Sequence, residues 1–166
     1  MLAWALALYA TASNGDPSPW NKVLWGADRQ KVQESIAGLE VPETIFLQGV
    51  LGQQLGLEGK PALSGMDVIA RYYFAKDGGL AVIKLVPADE SQCDAFRRAV
   101  TSAFGARFSS ETRTPEMPSD MGSIRRTWTN DRRIVTHIDI LGVPWARERC
   151  NLSMHAPDFD RAAPRE

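Results

Sequence analysis

Hydrophobic and polar positions alternate most clearly between Val68 and Val86. Val68, Ala70, Tyr72 and Phe74 share one side of an extended segment and Arg71 takes the other, as a two-residue period requires. The β-branched and aromatic content of this segment suits a pleated, half-buried surface. Lys76-Asp77-Gly78-Gly79 supplies turn residues. Leu80 to Val86 returns as a second strand, with Ala81, Ile83 and Leu85 on one face and Lys84 on the wetter one. Pro87 ends it, and the period changes. Cys93, Phe96, Val100, Ala103 and Phe104 recur at helical spacing, opposite Asp94, Arg97, Arg98 and Thr101. Asp89 followed by Gln92 has the spacing of a capping box, and Gly105 suits a helix stop.

Weaker patterns flank this stretch. Asp28 is a plausible N-cap for a helix whose narrow apolar stripe is Val32, Ile36 and Leu39, ending before Pro42. Trp20 and Trp25 beside it read as amphipathic anchors at the core edge, a carbohydrate or peptide platform being the sharper alternative. Thr44 to Leu47 is a short strand candidate. Gly49 to Gly65, with five glycines, reads as a long loop or a helical turn, and the Ser/Thr/Pro/Glu-rich run from Ser109 to Gly122 as a surface loop. Ser123 to Thr129 alternates, Asn130-Asp131 turns, and Arg133 to Leu141 returns. On that returning strand Ile134, Ile138 and Ile140 fall on one side; Val135, His137 and Asp139 fall on the other. Arg149 to Met154 is the last strand, with Cys150, Leu152 and Met154 facing in. The sum is an α+β fold: antiparallel sheet with helices packed on one face, in the order α-βββ-α-βββ. That order has the layout of a duplicated αβββ unit, in architecture rather than in residue identity.

The chain has 166 residues, enough for one domain with a real core, placed here over residues 20–155. Its net charge of −1 gives no global field favouring nucleic acid. Met1 to Ala12 is almost wholly apolar and ends in Ala10-Thr11-Ala12, the pattern of a signal-peptidase site. No Lys or Arg precedes the run, as a trimmed or misplaced start would leave it. An ordinary first helix is the plainer alternative. The run is too short to span a bilayer, which takes about 20 residues as a helix, so no membrane span is expected in the mature chain. Residues 13–19 read as a breaker-rich linker and 156–166 as a loose tail. Two cysteines, Cys93 and Cys150, agree with a periplasmic or secreted location, where a disulfide between them would tie helix to sheet. Two buried, reduced cysteines that never meet are the alternative.

Candidate chemistry is sparse. His137 and Asp139, two apart on one strand, form a base-and-orienter pair without a G-x-S-x-G elbow or a free cysteine to activate. A solvated pair on an exposed sheet face is the expectation. Neither C-x-x-C nor H-x-x-x-H occurs, and on a continuous strand Cys150 and His155 would point to opposite faces, so no metal is expected. Gly49-Val50-Leu51-Gly52 lacks the lysine of a phosphate loop, and no cofactor is expected. Arg125, Arg126, Arg132 and Arg133 bracket one hairpin turn; with His137 and Asp139 they make a candidate binding surface for a carboxylate or phosphate. A solvated, edge-protecting strand end explains the same arginines.

Leu24-Trp25-Gly26 before Val32 and Ile36, the spacing Phe74-x-x-x-Gly78-x-Leu80, a Cys-bearing helix and a late Cys-bearing strand resemble small exported bacterial domains in which Trp-Gly precedes a helix. In layout, from Leu24 to Met154, the chain is more loosely similar to the helix-plus-β-meander modules of outer-membrane assembly lipoproteins and of the β-lactamase inhibitor protein. It lacks their lipidation cysteine and their Leu-Gly-x-Pro helix ending. The resemblance implies a module that binds proteins and carries no catalytic residue over. The expectation is therefore a non-enzymatic exported domain that binds a protein or envelope component. A small hydrolase or ligand-binding enzyme using His137 and Asp139 is the alternative.

Overall fold

The computed structural model describes residues 19–22, 24–42, 53–116, 121–143, 148–157 and 159. The apolar run at 1–12 expected as a signal peptide, most of the expected linker, the strand candidate at 44–47 and the end of the expected tail lie outside them. One antiparallel sheet organises the rest. Its strands are β1 (Gln54–Gly59), β2 (Ala62–Leu63), β3 (Met66–Phe74), β4 (Leu80–Pro87), β5 (Ser110–Glu116), β6 (Met121–Thr129), β7 (Ile134–Leu141) and β8 (Cys150–His155). They lie in the order β1-β3-β4-β8-β7-β6-β5, with the two-residue β2 paired to β3. Two helices, α1 (Arg29–Ser35) and α2 (Cys93–Phe104), contribute to one core on the same side of the sheet. The α+β class and the one-sided helices agree with the sequence pattern; the order α-βββ-α-βββ does not, because four strands follow each helix. Each half is a helix followed by an antiparallel meander, and the halves join through their last strands, β4 and β8.

The helical signals act as the residues suggest. Asp28 accepts from the Lys31 backbone N–H at 2.9 Å and opens α1, which ends at Ser35, earlier than the stripe implied; Val32 lies on the helix, and Ile36 and Leu39, beyond its end, are buried with it in the core. Asp89 caps a short 3-10 turn through the Ser91 N–H, and Gln92 Nε2 contacts Asp89 Oδ2 instead of reaching back to backbone. Phe96 and Val100 of α2 are buried against Tyr72, Leu85 and Leu152 of the sheet. Each such side chain contributes about 1.5–3 kcal/mol. Trp20 is buried, and Trp25 packs half-buried on the core with its indole N–H donating to the Arg132 carbonyl, so both act as anchors. The glycine after Trp25 has its own reason. Gly26 bonds to Leu80 of β4, and a Cβ on Gly79 would lie 3.1 Å from the Gly26 backbone, so the two chains meet without side chains.

Three expectations are corrected. Residues 54–59 form strand β1, where a loop or helical turn was expected. Gly56 and Gly59 hide the alternation because their side-chain space is filled by Phe74 and Leu39. Residues 110–116 form β5, where a loop was expected; this edge strand is polar on both faces because neither is buried. In β4 the pairing with β3 shifts between Tyr73 and Phe74. That irregularity sends Leu80 into the helix-side core, while Ala81 and Val82 join Leu55 and Tyr73 in a second cluster, away from Ile83 and Leu85.

Candidate functional site

Cys93 and Cys150 are bonded to each other, with Cα atoms 5.6 Å apart. Cys93 is the first residue of α2 and Cys150 the first of β8, so the bridge pins one end of the helix to a central strand. A second tie runs beside it. Arg97 lies one helical turn beyond Cys93, and Asp139 is the β7 residue opposite Cys150. Arg97 Nε donates to Asp139 Oδ2 at 2.9 Å. From here helix and strand advance together: four helical residues rise about 6 Å and two strand residues about 6.7 Å. Val100 and Thr101 accordingly line one concavity with His137, and Phe104 meets Trp128.

That geometry reverses the expected exposure of β7. Pairing with β8 puts Val135, His137 and Asp139 on the helix side, where all three are buried; Ile134, Ile138 and Ile140 are half-buried on the open face. His137 and Asp139 are 0% and 2% exposed, not a solvated surface pair. A buried carboxylate needs partners, and the arginines provide them. Arg126 Nη1 donates to the same Asp139 Oδ2 at 3.1 Å, and its Nε donates to Glu111 of β5 at 2.9 Å. Arg97 Nη1 also donates to Asp94 at 2.9 Å.

The four arginines do not act as one patch. Arg126 joins Asp139 beneath α2, and Arg133 lies with its guanidinium carbon 5.3 Å from the Phe104 ring centre. Arg125 is exposed on the opposite face, and Arg132 is exposed at the turn, capped by Asn130. Sequence reasoning missed Arg97, Phe108 and Trp128 as partners of His137. The available signal was Arg97 four residues after Cys93, which links it to whatever strand neighbours Cys150.

Together these residues shape a concavity of about 250 Å³ lined by Arg97, Val100, Thr101, Gly105, Ala106, Phe108, Arg126, Trp128 and His137. Trp128 is fixed by its indole N–H to the Gly105 carbonyl at 3.0 Å, with the ring of Phe108 edge-on at 6.1 Å. Gly105 takes φ +88°, a backbone value that favours glycine, and turns the chain away from α2 to open this space. Burial pushes His137 down to about 4 against the pull of Asp139, and the nearby arginines add to the fall. Its Nε2 stands 3.6 Å from Asp139 Oδ1, too far for a hydrogen bond.

On the open face Glu148 pairs with both Arg71 and Lys84, and Arg71 also reaches Glu58 at 2.9 Å. Burial would raise the Glu148 carboxyl, but Lys84 and Arg71 hold it below its ordinary range. Among the described residues no three His, Cys, Asp or Glu side chains converge as metal ligands, and no helix is long and apolar enough to cross a membrane. No known protein family, curated protein or solved structure matches the chain.

Proposed function

We propose that this protein is an exported, non-catalytic domain that binds a protein or envelope component through the concavity beside α2. The observation that carries the reading is the use made of Asp139. Its Oδ2 fastens Arg97 and Arg126, which line the concavity, and its Oδ1 stands outside hydrogen-bond reach of His137. The carboxylate therefore holds a wall in place instead of orienting an imidazole. A histidine with a pKa of about 4 is a weak base at neutral pH, whereas general bases work best with a pKa near the working pH. Tryptophan and arginine around a concave site have the composition of a binding hot spot. The Cys93–Cys150 bridge supports an oxidising compartment.

The hydrolase reading keeps one observation in its favour, that His137 lines a concavity. Two measurements separate them. Oxidised protein is sedimented with purified bacterial envelope, and screened against ester, amide, glycoside and phosphoester substrates. The binding reading expects saturable co-sedimentation weakened by Phe108→Ala, and no turnover. Saturable turnover abolished by His137→Leu would overturn it. So would free Cys93 and Cys150 thiols in protein taken directly from its cells.

A further inference from the structure

The concavity beside α2 is lined by His137, whose buried ring nitrogens the fold leaves without partners. His137 is fully buried, and neither ring nitrogen has a hydrogen bond; Oδ1 of Asp139 is in the same position. Such atoms cost stability unless something pairs with them. Above them, Arg97 uses Nε and Nη1 on Asp139 and Asp94, and Arg126 uses Nε and Nη1 on Glu111 and Asp139. Each guanidinium keeps its Nη2 without a partner among the described residues. Since both groups bond to one oxygen atom, Asp139 Oδ2, they are held close together at the mouth.

We propose that this concavity binds an acidic sugar unit: a hydroxylated ring whose carboxylate sits on Arg97 and Arg126 and one of whose hydroxyls meets His137. The inference rests on the binding reading above and names the envelope chemistry it serves. A neutral imidazole presents one donor and one acceptor, and a hydroxyl matches it in either tautomer. The two Nη2 groups, one on each arginine, can each donate to one oxygen of a carboxylate. Asp139, Asp94 and Glu111 already face the two arginines, so any added anion meets negative charge, and a monoanion meets less repulsion than a dianion such as phosphate. Phe108 and Trp128 offer apolar surface for the carbon side of a ring. At about 250 Å³ the space falls just below the usual range for small-molecule pockets, about 300–1,000 Å³, which fits one sugar ring.

Calorimetric titration of the oxidised full chain tests this with glucuronate, a glucuronate oligosaccharide, gluconate, glucose, inorganic phosphate and a short peptide with a free C-terminal carboxylate. Glucuronate is expected to bind saturably and at least about tenfold tighter than glucose or phosphate. Arg97→Gln and Phe108→Ala should each weaken it by about tenfold; Phe108→Ala should leave the unfolding midpoint close to the parent's, whereas Arg97→Gln should lower it because buried Asp139 loses one of its two arginines. Tighter binding of the oligosaccharide than of glucuronate supports a glycan source; tighter binding of open-chain gluconate overturns the ring. Equal affinity for glucose overturns the carboxylate contact. Preference for the peptide or phosphate, or no binding by any probe, overturns the acidic-sugar assignment. If envelope co-sedimentation still depends on Phe108 in that case, the broader binding reading stands; if it does not, both fall.

Discussion

Replacing His137 with leucine should remove one defined part of the protein's sensitivity to mild acid. The imidazole is fully buried, so protonating it in the folded state is costly, and its pKa falls from 6.5 to about 4. The unfolded chain therefore binds this proton at higher pH than the native one does. The sign follows: the contribution is fully present above the unfolded value, and stability is lost as pH falls through the window from 6.5 toward 4. From those two values the loss is about 2 kcal/mol at pH 5 and about 3 kcal/mol at pH 4, relative to neutral pH. Leucine fills a similar volume next to Phe96 and leaves no buried nitrogen without a partner, so its cost at neutral pH should be small. Carboxylates held below their ordinary range, Glu148 among them, lose their own contribution as pH falls, in parent and variant alike. Urea unfolding of both proteins from pH 4 to pH 7.5, with the disulfide intact, therefore isolates His137 as the difference between two curves. A variant whose stability falls as steeply as the parent's between pH 6.5 and 5 would refute the argument.

Three further outcomes follow from the same contacts. Cys93→Ala with Cys150→Ala opens a loop spanning 57 residues, which the chain-entropy treatment values at about 4 kcal/mol; urea midpoints against the oxidised parent measure it. Asp139→Asn removes the charge that both Arg97 and Arg126 face, and should lower stability by about 2 kcal/mol, discounted for the partly exposed arginines, in the same assay. Gly56→Ala would set a Cβ 2.5 Å from the buried ring of Phe74, so the ring must move, and thermal unfolding should show a loss of about 1–3 kcal/mol.

What the sequence makes legible depends on how much each element's pattern is forced by burial. The β3–β4 hairpin and α2 are plain because one side of each lies on the core and the other does not. The disulfide follows because Cys93 and Cys150 both fall on apolar faces of their elements. β5 is hidden because an edge strand exposed on both sides needs no alternation, and its Ser-Glu-Thr-Arg-Thr-Pro-Glu sequence has the composition of a loop. The site is hidden for another reason. Along β7, hydropathy favours turning the isoleucines inward, but the ladder to β8 sets Asp139 opposite Cys150, and the helix above Cys150 brings Arg97 to meet it. Long-range register and two arginines outweigh the local preference, and single-strand patterns contain neither.

Hydrogen exchange on the oxidised chain, with and without a saturating probe that it is shown to bind, tests the central claim most directly. Protection confined to residues 97–108 of the helix end and its following turn, and to residues 126–128 of β6, is the predicted result. Protection on the open face, at Ile134, Ile138 and Ile140, with none beside α2, would contradict the account.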